Sequence, residues 1–198
     1  GVTTVTGKPR GFAVWWSQMA RWSVDSFRTI GWQWPAEVMR PLGNAITLRR
    51  DEVDARLPKT EVPIIEKISF GGVITVTEPD ARRVYKGRLL WAAPGELVYS
   101  KIRVQQGSLA VEPDSIEALA VSTEYPVYRV DTAVADGRYL ELVVRSDPFK
   151  QLLDGLSHGG STKTRIPPDE FERLVVPLPP LSPQRAIAVA LAPAQQRA

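Results

Sequence analysis

Cysteine is absent from the 198 residues, and histidine occurs once, as His158. Without thiols there is no disulfide frame and no thiolate metal site, which suits a reducing compartment, so a cytoplasmic location is expected. A single histidine excludes any site built on two imidazoles. No apolar run approaches the length of a membrane span, and no signal-peptide pattern opens the chain. Cofactor cradles are missing too, with no P-loop and no Gly-x-Gly-x-x-Gly. No Glu is followed two positions later by Lys, so the carboxylate-lysine pattern of metal-dependent nucleases is lacking. The Asn-Pro-Pro-aromatic motif of amino-methyltransferases is lacking as well. Ser157 lies beside His158, but no nucleophile-elbow pattern surrounds the pair. The chain is expected to carry out no chemistry itself.

What is present is ordinary for a globular protein, at 43% hydrophobic and 24% charged residues. The net charge of +3 permits a nucleic-acid partner without demanding one. The length suggests one domain of about 150 residues with an extra segment. That segment is the N-terminal stretch, where five of the six tryptophans fall at 15, 16, 22, 32 and 34. Apolar residues from Phe12 to Ile30 recur near helical spacing, reading as a helix that packs on its own domain or docks a partner subunit. Trp34-Pro35 punctuates its end.

From Ala36 to Ile46 a short helix or turn is expected, then a solvated mixed-charge run from Thr47 to Asp54. The middle reads as β, with candidate strands at 62–68, 73–77, 88–92, 97–102, 108–111, 118–122 and 127–130. Gly71-Gly72, Pro79-Asp80, Pro94-Gly95, Gln106-Gly107 and Pro113-Asp114 are the turns between them. Short strands so spaced form a partly rolled antiparallel sheet. Helices follow over 138–145 and from an Asp147-Pro148 start to Gly155. No internal repeat is visible.

The distal end is the most distinctive part. A polar loop hinged on Gly159-Gly160 offers Ser161, Thr162, Lys163, Thr164 and Arg165 as donors. A helical turn, the stiff strand Val176-Pro177-Leu178-Pro179-Pro180 and a helix start at Ser182-Pro183-Gln184 follow. A second distinctive piece is Gly95-Glu96-Leu97-Val98-Tyr99-Ser100-Lys101-Ile102-Arg103, and a third is Pro41-Leu42-Gly43-Asn44-Ala45-Ile46.

In order and spacing, these pieces resemble a target recognition domain from the specificity subunit of type I restriction-modification systems, over roughly residues 40 to 192. Two positions depart from the family pattern. Pro183-Gln184 stands where Glu-Gln is usual, and Pro193 interrupts a helix that should continue as a spacer. The resemblance implies an α/β (α+β) fold with a curved antiparallel sheet and flanking helices. It divides the chain into an arm and Trp-rich helix (1–36), a recognition domain (37–181) and the start of a spacer helix (182–198). It also implies a non-catalytic chain that reads a half-site in double-stranded DNA. The partners would be a modification methyltransferase subunit, which would bind S-adenosylmethionine, and a restriction subunit. A homodimer of half-subunits, a fragment and the tail of a fused methyltransferase are all compatible arrangements. No cofactor, metal or membrane is expected for the chain itself.

The DNA-binding candidates are Lys101, Arg103, Gln105 and Gln106 at a strand end and its turn, and Arg82 and Arg83 after Pro79-Asp80. The glycine loop adds Ser161, Thr162, Lys163 and Arg165. Arg and Lys suit guanine edges and phosphates, and Gln suits adenine. A rival reading has Lys101 and Arg103 bracing the sheet and loop instead. The competing class of function is a protein-interaction module that reads no DNA.

Overall fold

A computed structural model of the protein describes residues 32, 34–54, 63–77, 86–111, 118–156 and 165–195. The Trp-rich helix expected from Phe12 to Ile30 lies outside them, as do Arg82, Arg83, His158 and Ser161 to Lys163. Trp32 is described, and it packs partly buried against the main core.

Strand alternation builds the layers. The central sheet runs β2 (Ile46–Leu48), β9 (Val127–Val130), β6 (Leu97–Tyr99), β7 (Leu109–Val111), every neighbour antiparallel. Successive side chains of a strand face opposite sides. Leu97, Tyr99, Leu109 and Tyr128 therefore join the helices in one core, while Val98, Ala110 and Val127 join a second core on the other side. That second core is closed by the outer sheet β4 (Ile74–Thr77), β3 (Ile64–Ile68), β8 (Leu119–Ser122), β5 (Leu89–Ala92). Its members are antiparallel except for one parallel bridge, Ile64 to Ala120 between β3 and β8. Neither sheet closes on itself, so the α/β fold with antiparallel sheets and flanking helices is as expected, in two layers of strands.

Helices cover the other face of the central sheet. In α1 (Gly137–Arg145) Tyr139, Leu140, Val143 and Val144 are buried, and Asp136 caps its start by accepting from the Arg138 and Tyr139 amides. Helical spacing of the apolar residues outweighs the β preference of Val143-Val144. α2 (Asp147–Gly155) is capped by Ser146 rather than Asp147, which moves the expected cap by one residue. α3 (Pro168–Glu172) is the short turn read before the proline-framed strand. It drives Phe171 into the main core, stacked on Tyr99 at 4.2 Å and edge-on to Phe149 at 6.0 Å. Ring pairs in these arrangements add to the stabilisation that burial alone provides.

Three local expectations are corrected. Between Ala36 and Ile46 the chain forms a strand, β1 (Met39–Pro41), between two 3-10 turns, and β1 pairs with β10 (Val175–Pro177). Among the described residues these two proline-bearing strands pair only with each other, and neither can donate a full ladder. The run from Thr47 is not wholly solvated. Arg49 is largely buried and bonds Glu96 at 2.6 Å, while Asp51 contacts both Arg49 and Arg129. Finally, α4 (Leu181–Gln195) begins before Ser182, so Ser182 is inside the helix rather than its cap, and the helix continues two residues past Pro193. Among the described residues no helix is long and apolar enough to cross a membrane.

Gln184 anchors that last helix. Fully buried, its Oε1 accepts from the Asp136 amide at 2.8 Å, and its Nε2 donates to Val134 O at 2.8 Å and Pro179 O at 2.7 Å. One side chain thus ties α4, the proline strand and the α1 cap together.

Candidate nucleic-acid interface

At the end of β6 the chain turns sharply through Ser100 to Gly107. Gly107 sits at φ +94°, and a Cβ there would lie 2.4 Å from Phe70 O, so only glycine lets the β3–β4 hairpin approach. The Ser108 hydroxyl reinforces the contact by donating to Ile68 O. Hairpin, turn and the β8–β9 connection then enclose an open groove of about 780 Å³. Lys67, Arg103, Glu66 and Glu124 provide its charges, and Phe70, Ile102 and Tyr125 its apolar surface. Phe70 is 55% exposed. Burial pushes the Tyr125 phenol above its ordinary value, Arg103 opposes that shift and Glu124 adds to it. The groove is of mixed charge, suited to directional hydrogen bonding more than to gathering anions at long range. Among the described residues no cluster of three His, Cys, Asp or Glu could hold a metal.

The candidates around the groove divide by what they touch. Lys101 Nζ donates to Thr123 O at 2.6 Å, its amide donates to Glu124 O at 3.0 Å, and its carbonyl accepts from the Ile166 amide at 3.0 Å. Lys101 therefore joins three segments. Gln105 Nε2 reaches Leu153 O on α2 at 3.5 Å. Arg103 and Gln106 are exposed, Arg103 on the groove wall. Arg165 reaches the same place from the distal end of the chain, where Nη2 meets Glu124 Oε1 at 2.5 Å and Oε2 at 2.6 Å. Lys101 and Arg165, 64 residues apart, are brought together because Tyr99 Oη, in the core, donates to Ile166 O at 3.0 Å and pins the returning chain.

Glu124 is the residue that sequence reasoning missed. It sits in a Ser-Thr-Glu-Tyr-Pro turn, and nothing local marks it as the partner of an arginine 41 positions away. Glu141 and Arg145 on α1 were also passed over. Arg145 donates to Gly107 O at 2.9 Å and to Leu109 O, and Glu141 accepts from the Val111 amide at 2.7 Å. Together they satisfy the outer edge of β7, which would otherwise stand open to strand pairing.

Comparison with solved structures settles the architecture. The HsdS subunit from Thermoanaerobacter tengcongensis superposes with a TM-score of 0.62 at 18% identity, over 80% of this chain. The fold is that of part of an HsdS subunit. A second chain, from work on complex assembly and conformational transition of the type I R-M system, matches with a TM-score of 0.63, also at 18% identity and 80% coverage. The chain spans 42% of the length of each of these structures. No protein-family model and no curated protein matches it. The HsdS-like fold bears out the type I specificity-subunit resemblance carried by the Gly95 to Arg103 and Leu174 to Arg185 stretches.

Proposed function

We propose that this chain reads a short half-site in double-stranded DNA, with residues 37–181 acting as a target recognition domain of a type I restriction-modification specificity subunit. The observation that carries the reading is the HsdS-like fold over 80% of the chain. The chain's share of the work is recognition alone. Arg103, on the groove wall, and the exposed Gln106 offer donors, Arg to guanine or phosphate and Gln to adenine. Lys101 and Gln105 act behind them, Lys101 holding the turn to its neighbours. Arg82, Arg83, Ser161, Thr162 and Lys163 complete the proposed contact set, with Arg165 at the groove rim. S-adenosylmethionine binding and strand cleavage belong to the partner methyltransferase and restriction subunits, which the bound half-site recruits.

Salt tests the reading. Each neutralised phosphate adds about −0.9 to the slope of log affinity against log salt, so duplex binding should weaken steeply between roughly 50 and 200 mM. The Arg103→Ala variant should bind more weakly than the wild type. A protein-interaction module would retain no duplex at low salt, and that result would refute the proposal.

A further inference from the structure

Phe70 is the largest of the exposed apolar side chains among the described residues, at 55%. Ile102, 37% exposed, lines the same groove. Single apolar residues on a surface are ordinary, but this one is held in place. On one side its carbonyl is seated on Gly107. On the other, Gly72 turns the chain at φ +83°, and a side chain there would collide with the Arg145 guanidinium. Within the turn the Ser69 amide donates to Val73 O at 2.9 Å, the Val73 amide to Ser69 Oγ at 2.9 Å and the Gly72 amide to Ser69 O at 3.0 Å. Phe70 is thus carried on a fixed backbone and kept on the groove wall, outside both cores.

Charged side chains share the groove with it. The β3–β4 register shifts between Ile65 and Lys67, so Glu66 has no partner on β4, and both Glu66 and Lys67 reach the groove that Arg103 also lines. The major groove of DNA offers hydrogen-bond acceptors, donors and one apolar group, the C5-methyl of thymine. Cations, a carboxylate and a fixed aromatic ring answer those three features in turn. The centre of a protein interface is depleted of charge, which argues against a protein on this ring. A wedge between base steps would need a ring standing clear of the surface, whereas Phe70 is nearly half covered. We infer that Phe70 is a specificity-determining residue that packs against the C5-methyl group of one thymine in the half-site. This inference rests on the DNA-reading function proposed above and names a contact at that site.

Selection from a randomised duplex pool with the wild-type chain gives the motif, and deoxyuridine in place of each of its thymines removes one methyl group at a time. At one thymine the replacement should weaken wild-type binding about fourfold, the scale of burying one methyl group. Phe70→Ala should lose at least as much affinity for the thymine duplex and show no further loss with deoxyuridine at that position. It should keep its melting temperature and its other base preferences. Phe70→Leu should keep part of the discrimination. The inference is overturned, with the DNA reading intact, if the motif holds no thymine, if no thymine is sensitive to the replacement, or if Phe70→Ala is as sensitive as the wild type. A Phe70→Ala chain that weakens every motif position together, with a lowered melting temperature, also overturns it, because the ring would then belong to the fold. A wild-type chain that enriches no motif overturns both.

Discussion

Replacing Gln184 by methionine tests how α4 is held to the domain. The side chain is fully buried and makes three hydrogen bonds, to the Asp136 amide and to the Val134 and Pro179 carbonyls. Methionine has a similar reach but offers only a weakly accepting sulfur. The two carbonyls tolerate the loss better than the amide does, since a buried orphan N–H is rare and costly. Three lost bonds, each contributing about 0.5–1.5 kcal/mol net, and one orphan donor costing about 1–3 kcal/mol set the scale. Burial of the thioether offsets roughly 1–2 kcal/mol of that. The expected destabilisation is about 2–4 kcal/mol, lowering the melting temperature by roughly 4–16 °C for a domain of this size. Urea unfolding should show a lower midpoint at an unchanged slope. Arg185→Ala is the matched control on the same helix. That side chain is 64% exposed and only 3.8 Å from Asp136 Oδ2, so its loss should change stability by less than about 0.5 kcal/mol. A Gln184→Met chain as stable as this control would refute the claim that Gln184 anchors the helix.

Three further outcomes follow from the core and its edges. Burial pushes the Tyr139 phenol up to about 12 and raises Tyr99 and Tyr128 further, so these groups stay protonated in the folded state while the unfolded chain ionises near pH 10. Their contribution is therefore complete below about pH 10 and lost as pH rises toward 12; denaturant midpoints should fall over that window, and a flat profile would contradict the burial. Glu141→Ala, which strips the acceptor from the Val111 amide, should cost about 1–3 kcal/mol and increase self-association in light scattering, whereas Glu141→Gln should do less of both. Gly107→Ala should destabilise by more than about 2 kcal/mol, through its left-handed backbone and its clash with Phe70 O, while Gly155→Ala, with open space around it, should stabilise by about 0.4–1 kcal/mol; equal melting temperatures would refute the contrast.

Much of the fold was legible because period and punctuation survive in the sequence. Val127–Val130 is a strand as read, and the helix over 138–145 and the stop at Gly155 follow their apolar spacing. What was missed depends on distant partners. Met39–Pro41 is a strand only because Val175–Pro177 lies opposite it, and three residues ending in proline carry no strand signal of their own. Arg49 looked like one charge in a solvated run, but Glu96, far along the chain, draws it inward. The strand expected to reach Ile102 ends at Tyr99 because the chain must turn toward Gly107 and the hairpin beyond. The candidate site was legible in part. Of the residues singled out, Arg103 lines the groove and Gln106 is exposed, while the partnership of Arg165 with Glu124 spans 41 residues and leaves no local trace. The bracing role weighed for Lys101 is favoured by its hold on Thr123, Glu124 and Ile166 together.

The central claim is that the chain reads DNA sequence. Its most direct test is selection from a randomised duplex pool with the purified protein, at low salt and then near physiological salt. The account predicts enrichment of a short motif, with retention falling steeply as salt rises. Failure to retain duplex at any salt, alone or with a methyltransferase subunit added, would contradict it.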